Sequence, residues 1–207
     1  MPFITAIKPQ KKRKNRFSIY LDGKFVFGLS AEALAKANLS VGRELSSQEV
    51  NDLIFKNELG KSLDRVYRFL SYRPRSEREI RDYLKKKEVD EKIAEKVIDK
   101  VKKLNYIDDL KFVHWWVEQR STFRPRGKRA LIAELRQKGI APEIIDQVLE
   151  ESVDEAVLAK KAVKKKMAIW QKLPLWERRR KLSDYLARRG FSWEVIKKIV
   201  DDSAISR

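Results

Sequence analysis

The chain contains no cysteine. Disulfides, thiolate metal centres and a cysteine nucleophile are therefore excluded, and the composition suits a reducing compartment. Histidine occurs once, at His114. A lone imidazole builds no multi-histidine metal site, and no convincing nucleophile and orienting acid lie near it in sequence to form a triad. It reads as a helix-face residue beside Trp115. Glycine occurs seven times and never in a cluster, so no glycine-rich phosphate cradle is present. No window of about 18 apolar residues exists, and no membrane span is expected. The basic run from Lys11 to Arg16 lacks the apolar stretch that would follow it in a secretory signal. Asp108 and Asp109 could be imagined as Mg²⁺ ligands of a nuclease. Helix capping explains Asp108 more simply, and adjacent helical residues do not face one site. The inventory disfavours an enzyme and a metal site, and a cytoplasmic setting away from membranes is the expectation.

What is abundant is positive charge. Of 207 residues 38% are charged, and the net charge is +18 with a pI near 10.0. Balanced Lys/Glu enrichment of a solvated surface would not leave this surplus, which favours a polyanionic partner: DNA, RNA or an acidic protein face. From residue 153 onward there are fifteen Lys and Arg against seven Asp and Glu. The 43% hydrophobic content is that of a globular chain, and the high charge fits many small helices better than one deep core.

Those helices repeat. Arg73-Pro74-Arg75-Ser76 opens one stretch and Arg124-Pro125-Arg126-Gly127 the next. Without a gap, Ile80, Leu84, Lys87, Val89, Ile93 and Val97 fall on Leu131, Leu135, Lys138, Ile140, Ile144 and Val148. The same step lands on Leu182, Leu186, Arg189, Phe191, Val195 and Ile199. One helical unit has been used three times. The expected domains are 1–60 (N-terminal strands and short helices), 61–106 (first repeat), 107–152 (second repeat) and 153–207 (third repeat and a frayed tail at 203–207). Each repeat should hold three helices.

Local signals set the boundaries. Strands are expected at 3–7, 17–21 and 24–27. The last two flank Asp22-Gly23, a two-residue hairpin turn whose residues must tolerate positive φ. Lys11, Lys12, Arg13 and Lys14 are placed in the loop before it, as a secondary anion-contacting finger or a solvated loop. Ser30 caps a short helix, and Ser46 or Ser47 starts one reaching about Asn57, with Gly60 as a possible break. Ser76 and Glu79 form a capping box, and Ile107 and Phe112 staple across the Asp108 cap. Asp90 and Ser192 cap the closing helices of the first and third repeats. Gly139 and Gly190 end the short helices of the second and third, and Pro142 opens a helix at its first position.

Arginine crowds the helix starts: Arg73, Arg75 and Arg78 in the first copy, Arg124, Arg126, Lys128 and Arg129 in the second, Arg178, Arg179 and Arg180 in the third. Arg120 precedes the second cluster. Cations there oppose the helix dipole at a cost of roughly tenths of a kcal/mol each. Repeating that cost suggests a use, an anion held by the arginines and the backbone donors together. The competing reading pairs them with acids such as Glu77, Asp82 and Glu134 across repeat boundaries. Trp115, Trp116, Trp170, Trp176 and Trp193 hold helical positions suited to packing, with base stacking as the alternative.

The stretch Asp108-Asp109-x-x-Phe112-x-x-x-Trp116-Val117-x-x-Arg120, followed by Arg124-Pro125-Arg126-Gly127 and Glu134-Leu135-x-x-Lys138-Gly139-Ile140, resembles the core of the RecX regulatory proteins of bacteria. Ser76-x-x-Glu79-Ile80-x-x-Tyr83-Leu84 resembles that family's first unit. The resemblance spans about residues 60–200. It implies a mainly α fold, three tandem three-helix repeats in an elongated curved array, with a small N-terminal β-hairpin and helix region. It also implies a partner, the RecA recombinase filament on single-stranded DNA, whose strand exchange and ATP hydrolysis such proteins restrain, and no cofactor. Two features depart from the pattern: Glu88 stands where the other copies have glycine, and Leu173-Pro174-Leu175 replaces Arg-Pro-Arg. A monomeric regulator of the filament is one expectation. A direct binder of duplex DNA, built of stacked helix-turn-helix units, is the alternative.

Overall fold

The computed structural model describes residues 1–10 and 13–205. The chain forms two compact units, one of residues 1–72 with 81–101, the other of 73–80 with 102–207.

The first unit opens with an antiparallel sheet in the order β1 (Ile4–Gln10), β2 (Arg13–Leu21), β3 (Lys24–Ser30). Asp22 and Gly23 make the β2–β3 turn at φ 47° and 80°, the left-handed geometry that an Asp-Gly hairpin requires. β1 and β2 extend past the expected strands. The backbone of Arg13 and Lys14 belongs to β2, with Arg13 opposite Gln10, rather than to a loop; Lys11 and Lys12 lie outside the described residues. Ile4, Ile19, Leu21, Phe27, Leu29 and Leu45 form a core under the sheet. Ser30 accepts the Ala33 N–H and starts α1 (Ala31–Lys36). Ser46 and Glu49 build a complete capping box at α2 (Ser47–Ser71).

α2 is one helix of 25 residues. The break expected near Asn57 and Gly60 does not occur. Asn57 is buried and accepts Arg16 Nη2 at 2.8 Å, while the same Nη2 reaches Gly28 O at 2.9 Å. The sheet therefore fastens the helix where it was expected to stop, and a lone glycine costs only about 1 kcal/mol within a helix. Further along, Phe69 stacks on Tyr83 of α3 (Glu77–Lys86), with centroids 4.3 Å apart and planes within 6°. α4 (Glu91–Lys103) buries Ile93, Val97, Ile98 and Val101.

The second unit holds α5 (Asp109–Phe123), α6 (Lys128–Gln137), α7 (Pro142–Ser152), α8 (Glu155–Trp170), α9 (Leu175–Arg188) and α10 (Trp193–Ile205). One core runs through them, from Phe112, Val113 and Val117 through Leu131, Leu135, Ile145 and Val148 to Leu182, Leu186, Ile196 and Val200. α10 includes residues 203–205, so that part of the expected tail is helical; Ser203 is buried and its hydroxyl donates to Val200 O at 2.6 Å.

The repeat holds at the level of single bonds. Val89 N–H, Ile140 N–H and Phe191 N–H donate to Leu84 O, Leu135 O and Leu186 O, each at 3.2 Å. Each bond closes the short helix through a left-handed residue, as a six-to-one terminal bond does. That residue is Gly139 at φ 78° and Gly190 at φ 77°, and Glu88 takes the same conformation at φ 54°. The missing glycine of the first copy is thus accommodated by strain of order 1 kcal/mol, and the turn is kept.

Candidate functional site

The sequence places the anion site at the starts of α3, α6 and α9, with exposed backbone donors. At α6 those donors are taken. Gly127 N–H donates to Arg189 O at 3.0 Å and Arg129 N–H to Gly190 O at 3.2 Å. Lys128 N–H donates to Glu155 Oε1 at 2.9 Å. At α3, Glu77 N–H donates to Asp109 Oδ1 at 3.3 Å and Glu79 N–H to Ser76 Oγ at 3.3 Å, while Ser76 Oγ donates to Lys138 O at 2.7 Å. The start of one short helix therefore meets the end of the corresponding helix in the next repeat. Opposite dipole ends face each other, and an internal carboxylate supplies the anion. This corrects the expected open helix termini at α3 and α6.

The acid pairs share this work. Asp108 caps its own α5 through Lys111 N–H at 3.0 Å, as expected, and Asp109 reaches back to α3. Asp154 likewise caps α8 through Val157 N–H at 3.0 Å, and Glu155 reaches back to α6. Glu155 also receives Ser192 N–H at 3.1 Å and its hydroxyl at 2.6 Å. Burial pushes the Asp109 carboxyl above its ordinary value, outweighing the Glu77 N–H bond. Asp108 and Asp109 are thus helix-terminal groups. Among the described residues no set of three or more metal-ligating side chains is assembled.

Several predicted arginines are held internally. Arg73 grips Glu79 with two bonds of 2.8 and 2.9 Å and lies over the Trp115 ring at 5.5 Å. Lys138 Nζ reaches the same carboxylate at 2.6 Å. Burial raises the Glu79 carboxyl, but Arg73 and Lys138 together hold it below the usual range. With its carboxylate so engaged, Glu79 completes only half of the expected capping box, its N–H donating to Ser76 Oγ. In α6, Glu134 receives Arg120 Nε at 2.6 Å and Trp116 Nε1 at 2.9 Å, with Arg126 Nε at 3.5 Å. The Arg120 guanidinium also covers the Trp116 ring at 4.5 Å. Arg179 pairs with Asp201 at 2.8 Å. Arg75 and Arg178 are half-buried. Glu134 is the acid named for Arg126 in the competing reading, but this pair, like Arg120–Glu134, lies within one repeat and does not cross a boundary.

A different subset faces solvent. Arg78, Arg129 and Arg180 are exposed and make no ion pair among the described residues. They occupy one and the same step of the three repeats. Arg180 packs over Trp176 at 5.9 Å. The aliphatic part of Arg78 lies against Gly139, where an added Cβ would come within 2.7 Å of the Arg78 Cβ and Cδ. Arg124 is exposed as well, at the end of α5, and Lys128 is half-buried with its N–H on Glu155.

The tryptophans divide. Trp115, Trp116 and Trp170 pack against the core. Trp176 and Trp193 are 66% and 69% exposed, which corrects the packing expected for them. Helical spacing assigns residues to a face, but not which faces a neighbour covers.

Family models match the chain in sequence: the regulatory protein RecX N-terminal domain over residues 2–46, then the first, second and third RecX three-helix domains over 63–100, 108–149 and 154–200. The regulatory protein RecX of Bacillus subtilis is 36% identical over 206 residues, covering 97% of this chain and 77% of that protein. That of Bacillus velezensis is 34% identical over 208 residues, covering 98% and 78%. A crystal structure of regulatory protein RecX superposes with a TM-score of 0.72 at 31% identity, over 97% of this chain and all of that one. RecX from Lactobacillus salivarius shares the fold at a TM-score of 0.64 and 20% identity, over 72% of this chain. No helix among the described residues is long and apolar enough to cross a membrane. With the fold, the repeat register and the matched domains in agreement, the chain belongs to the RecX family of regulatory proteins.

Proposed function

We propose that this chain is a non-catalytic, monomeric, cytoplasmic regulator that binds the RecA–single-stranded DNA filament and restrains its recombinase and ATPase activity. The observation that carries the reading is one exposed arginine without an acidic partner, at the same step of each repeat: Arg78, Arg129 and Arg180. A filament offers equivalent anionic sites at regular intervals. Weak contacts made in tandem then multiply into avidity, by factors of order 10² to 10⁴. Arginine suits bidentate contacts to phosphate or carboxylate at such sites. Family membership supports a regulatory role, and the side-chain inventory supports binding over chemistry.

Association with recombinase-coated single strands, naked single strands and naked duplex tests the reading. Selective binding to coated strands is expected. Reversal of all three charges (R78E, R129E and R180E) should weaken that binding by roughly 100-fold, because avidity is lost with each grip. Helicity should stay unchanged and Tm nearly so, since none of the three makes an internal ion pair among the described residues. Equal or tighter binding to duplex, with a preferred sequence, would instead assign the chain to direct DNA binding. Where phosphates are the anions, each lost contact lowers the salt slope by about 0.7 to 0.9.

A further inference from the structure

The first and third repeats carry the same cleft, between their second and third helices, and an ion pair crosses it at a different place in each. In the first repeat the cleft lies between α3 and α4, lined by residues that include Val89, Ala94 and Ile98. Arg81 reaches across to Glu95, with Nη2 3.2 Å from Oε2. In the third repeat it lies between α9 and α10, with a volume of about 420 Å³. By the repeat register Ser183 stands where Arg81 does and Lys197 where Glu95 does, so the closing ion pair has no counterpart at these positions. Trp193 takes the place of Glu91, and Ile196 and Val200 form the buried apolar floor. In the second repeat the places of Glu91 and Glu95 hold Pro142 and Asp146. The indole and the lysine are particular to the third.

The chemistry of the third-repeat cleft is specific. Three cations, Arg179, Arg180 and Lys197, line it with two acids, Asp184 and Asp201, where the first cleft has two of each. Arg179 is neutralised by Asp201. Arg180 and Lys197 make no ion pair among the described residues. Trp193 is 69% exposed, and Arg180 links the cleft to the second exposed indole, Trp176. An exposed aromatic face flanked by unneutralised cations is how proteins hold unpaired bases, the ring taking a base and the cations the adjoining phosphates. Duplex hides its base faces and cannot use the indole.

We propose that the α9–α10 cleft is a binding site for single-stranded nucleic acid, with a base stacked on Trp193 and the neighbouring phosphates against Arg180 and Lys197. The assignment rests on the polyanion-binding reading above but not on the identity of the filament protein.

The test uses the full chain and fluorescence anisotropy with labelled oligo(dT) and an abasic oligomer of equal length and charge. Wild type should prefer oligo(dT) by on the order of 10-fold, the scale of one stacked base. Trp193→Ala should abolish that preference and Trp193→Phe should retain most of it, which separates stacking from a fold defect. Lys197→Glu, which restores the residue of the first repeat, should weaken both oligomers alike. Equal affinity of wild type for the two oligomers, or a preference that survives Trp193→Ala, overturns the proposal. So does a decaglutamate peptide that loses affinity on Trp193→Ala while oligo(dT) does not, since the cleft would then be a protein site. Coated strands assayed with the same variants keep the two readings apart. If Trp193→Ala has no effect on naked strands while wild type still selects coated ones, this site fails and the regulatory reading stands. If the base preference behaves as expected but coated strands are not selected, the reverse holds.

Discussion

The starts of α3 and α6 both meet the end of the next repeat's short helix, but through different chemistry. At α3 a side chain mediates: Ser76, fully buried, donates to Lys138 O, and the Arg73–Glu79–Lys138 cluster stands beside it. At α6 the residue in the place of Ser76 is Gly127, which has no side chain to interpose. Gly127 lies so close to the next repeat that an added Cβ would be 2.2 Å from Gly190 O and 2.3 Å from Phe191 N and Cα, and backbone donors bond backbone carbonyls directly. A cation at the end of the following short helix reaches back in both: Lys138 to Glu79, and Arg189 Nη1 to Pro125 O at 3.0 Å. One register has produced an ionic junction and a close-packed one. The first should respond to salt and pH, the second to volume.

Exchanging the residue that separates them is the strongest way to break the contrast. Gly127→Ser puts the first junction's side chain into the second. The atoms it meets are backbone and cannot rotate away, so a loss of about 3 kcal/mol is expected, at the upper end of overpacking. For a chain of this size that is roughly 6 to 12 °C in Tm, read by thermal melting. A Tm within a degree or two of wild type would mean that the close approach at Gly127 does not constrain the fold.

Glu79→Gln probes the ionic junction. It removes the charge that holds Arg73 and Lys138 in a half-buried setting. About 1 kcal/mol should be lost at low salt, with the difference shrinking in 1 M salt, where screening acts within about 3 Å. Glu79 is held below its ordinary value of 4.5 in the folded chain. Its stabilising contribution is therefore present above pH 4.5 and lost as pH falls through the depressed folded value. The advantage of wild type over the Glu79→Gln variant should disappear in acid. A loss independent of salt and pH would point to packing as the role of this residue.

Much of this is legible in the sequence, and the illegible part has a physical cause. Local chemistry announces the Asp22-Gly23 turn, the Ser30, Ser46 and Asp108 caps, and the left-handed positions at Gly139 and Gly190, because each is decided within a few residues. The repeat register marks the buried faces. The second carboxylate of each acid pair is not legible: Asp109 and Glu155 look like ordinary first-turn acids, yet their partners are Glu77 and Lys128, distant in sequence. The arginine clusters are visible as clusters. Which member pairs with Glu79 or Glu134, and which faces solvent, is decided by how the helices pack on one another. The packing expected of Trp193 fails for the same reason, since its helical position is shared by residues that are covered and residues that are not.

Asp109 gives the finest test of the contrast, because its sign is opposite to that of Glu79. Burial raises its carboxyl above the ordinary 3.8, and the nearby Glu77 and Asp108 charges act in the same direction. Folding therefore disfavours its ionised form: the cost is absent below pH 3.8 and complete once pH passes the raised folded value. Asp109→Asn removes that charge and keeps an oxygen able to accept the Glu77 N–H. At pH 7 the variant should be more stable than wild type by roughly 0.5 kcal/mol, the scale of small single-site effects, and below pH 3.8 the two should coincide. Urea unfolding at the two pH values measures this, with the midpoint shifting while the slope stays constant. Destabilisation by Asp109→Asn at neutral pH would mean that the carboxylate charge itself, acting on the start of α3 or on Lys102, stabilises the junction by more than its burial costs.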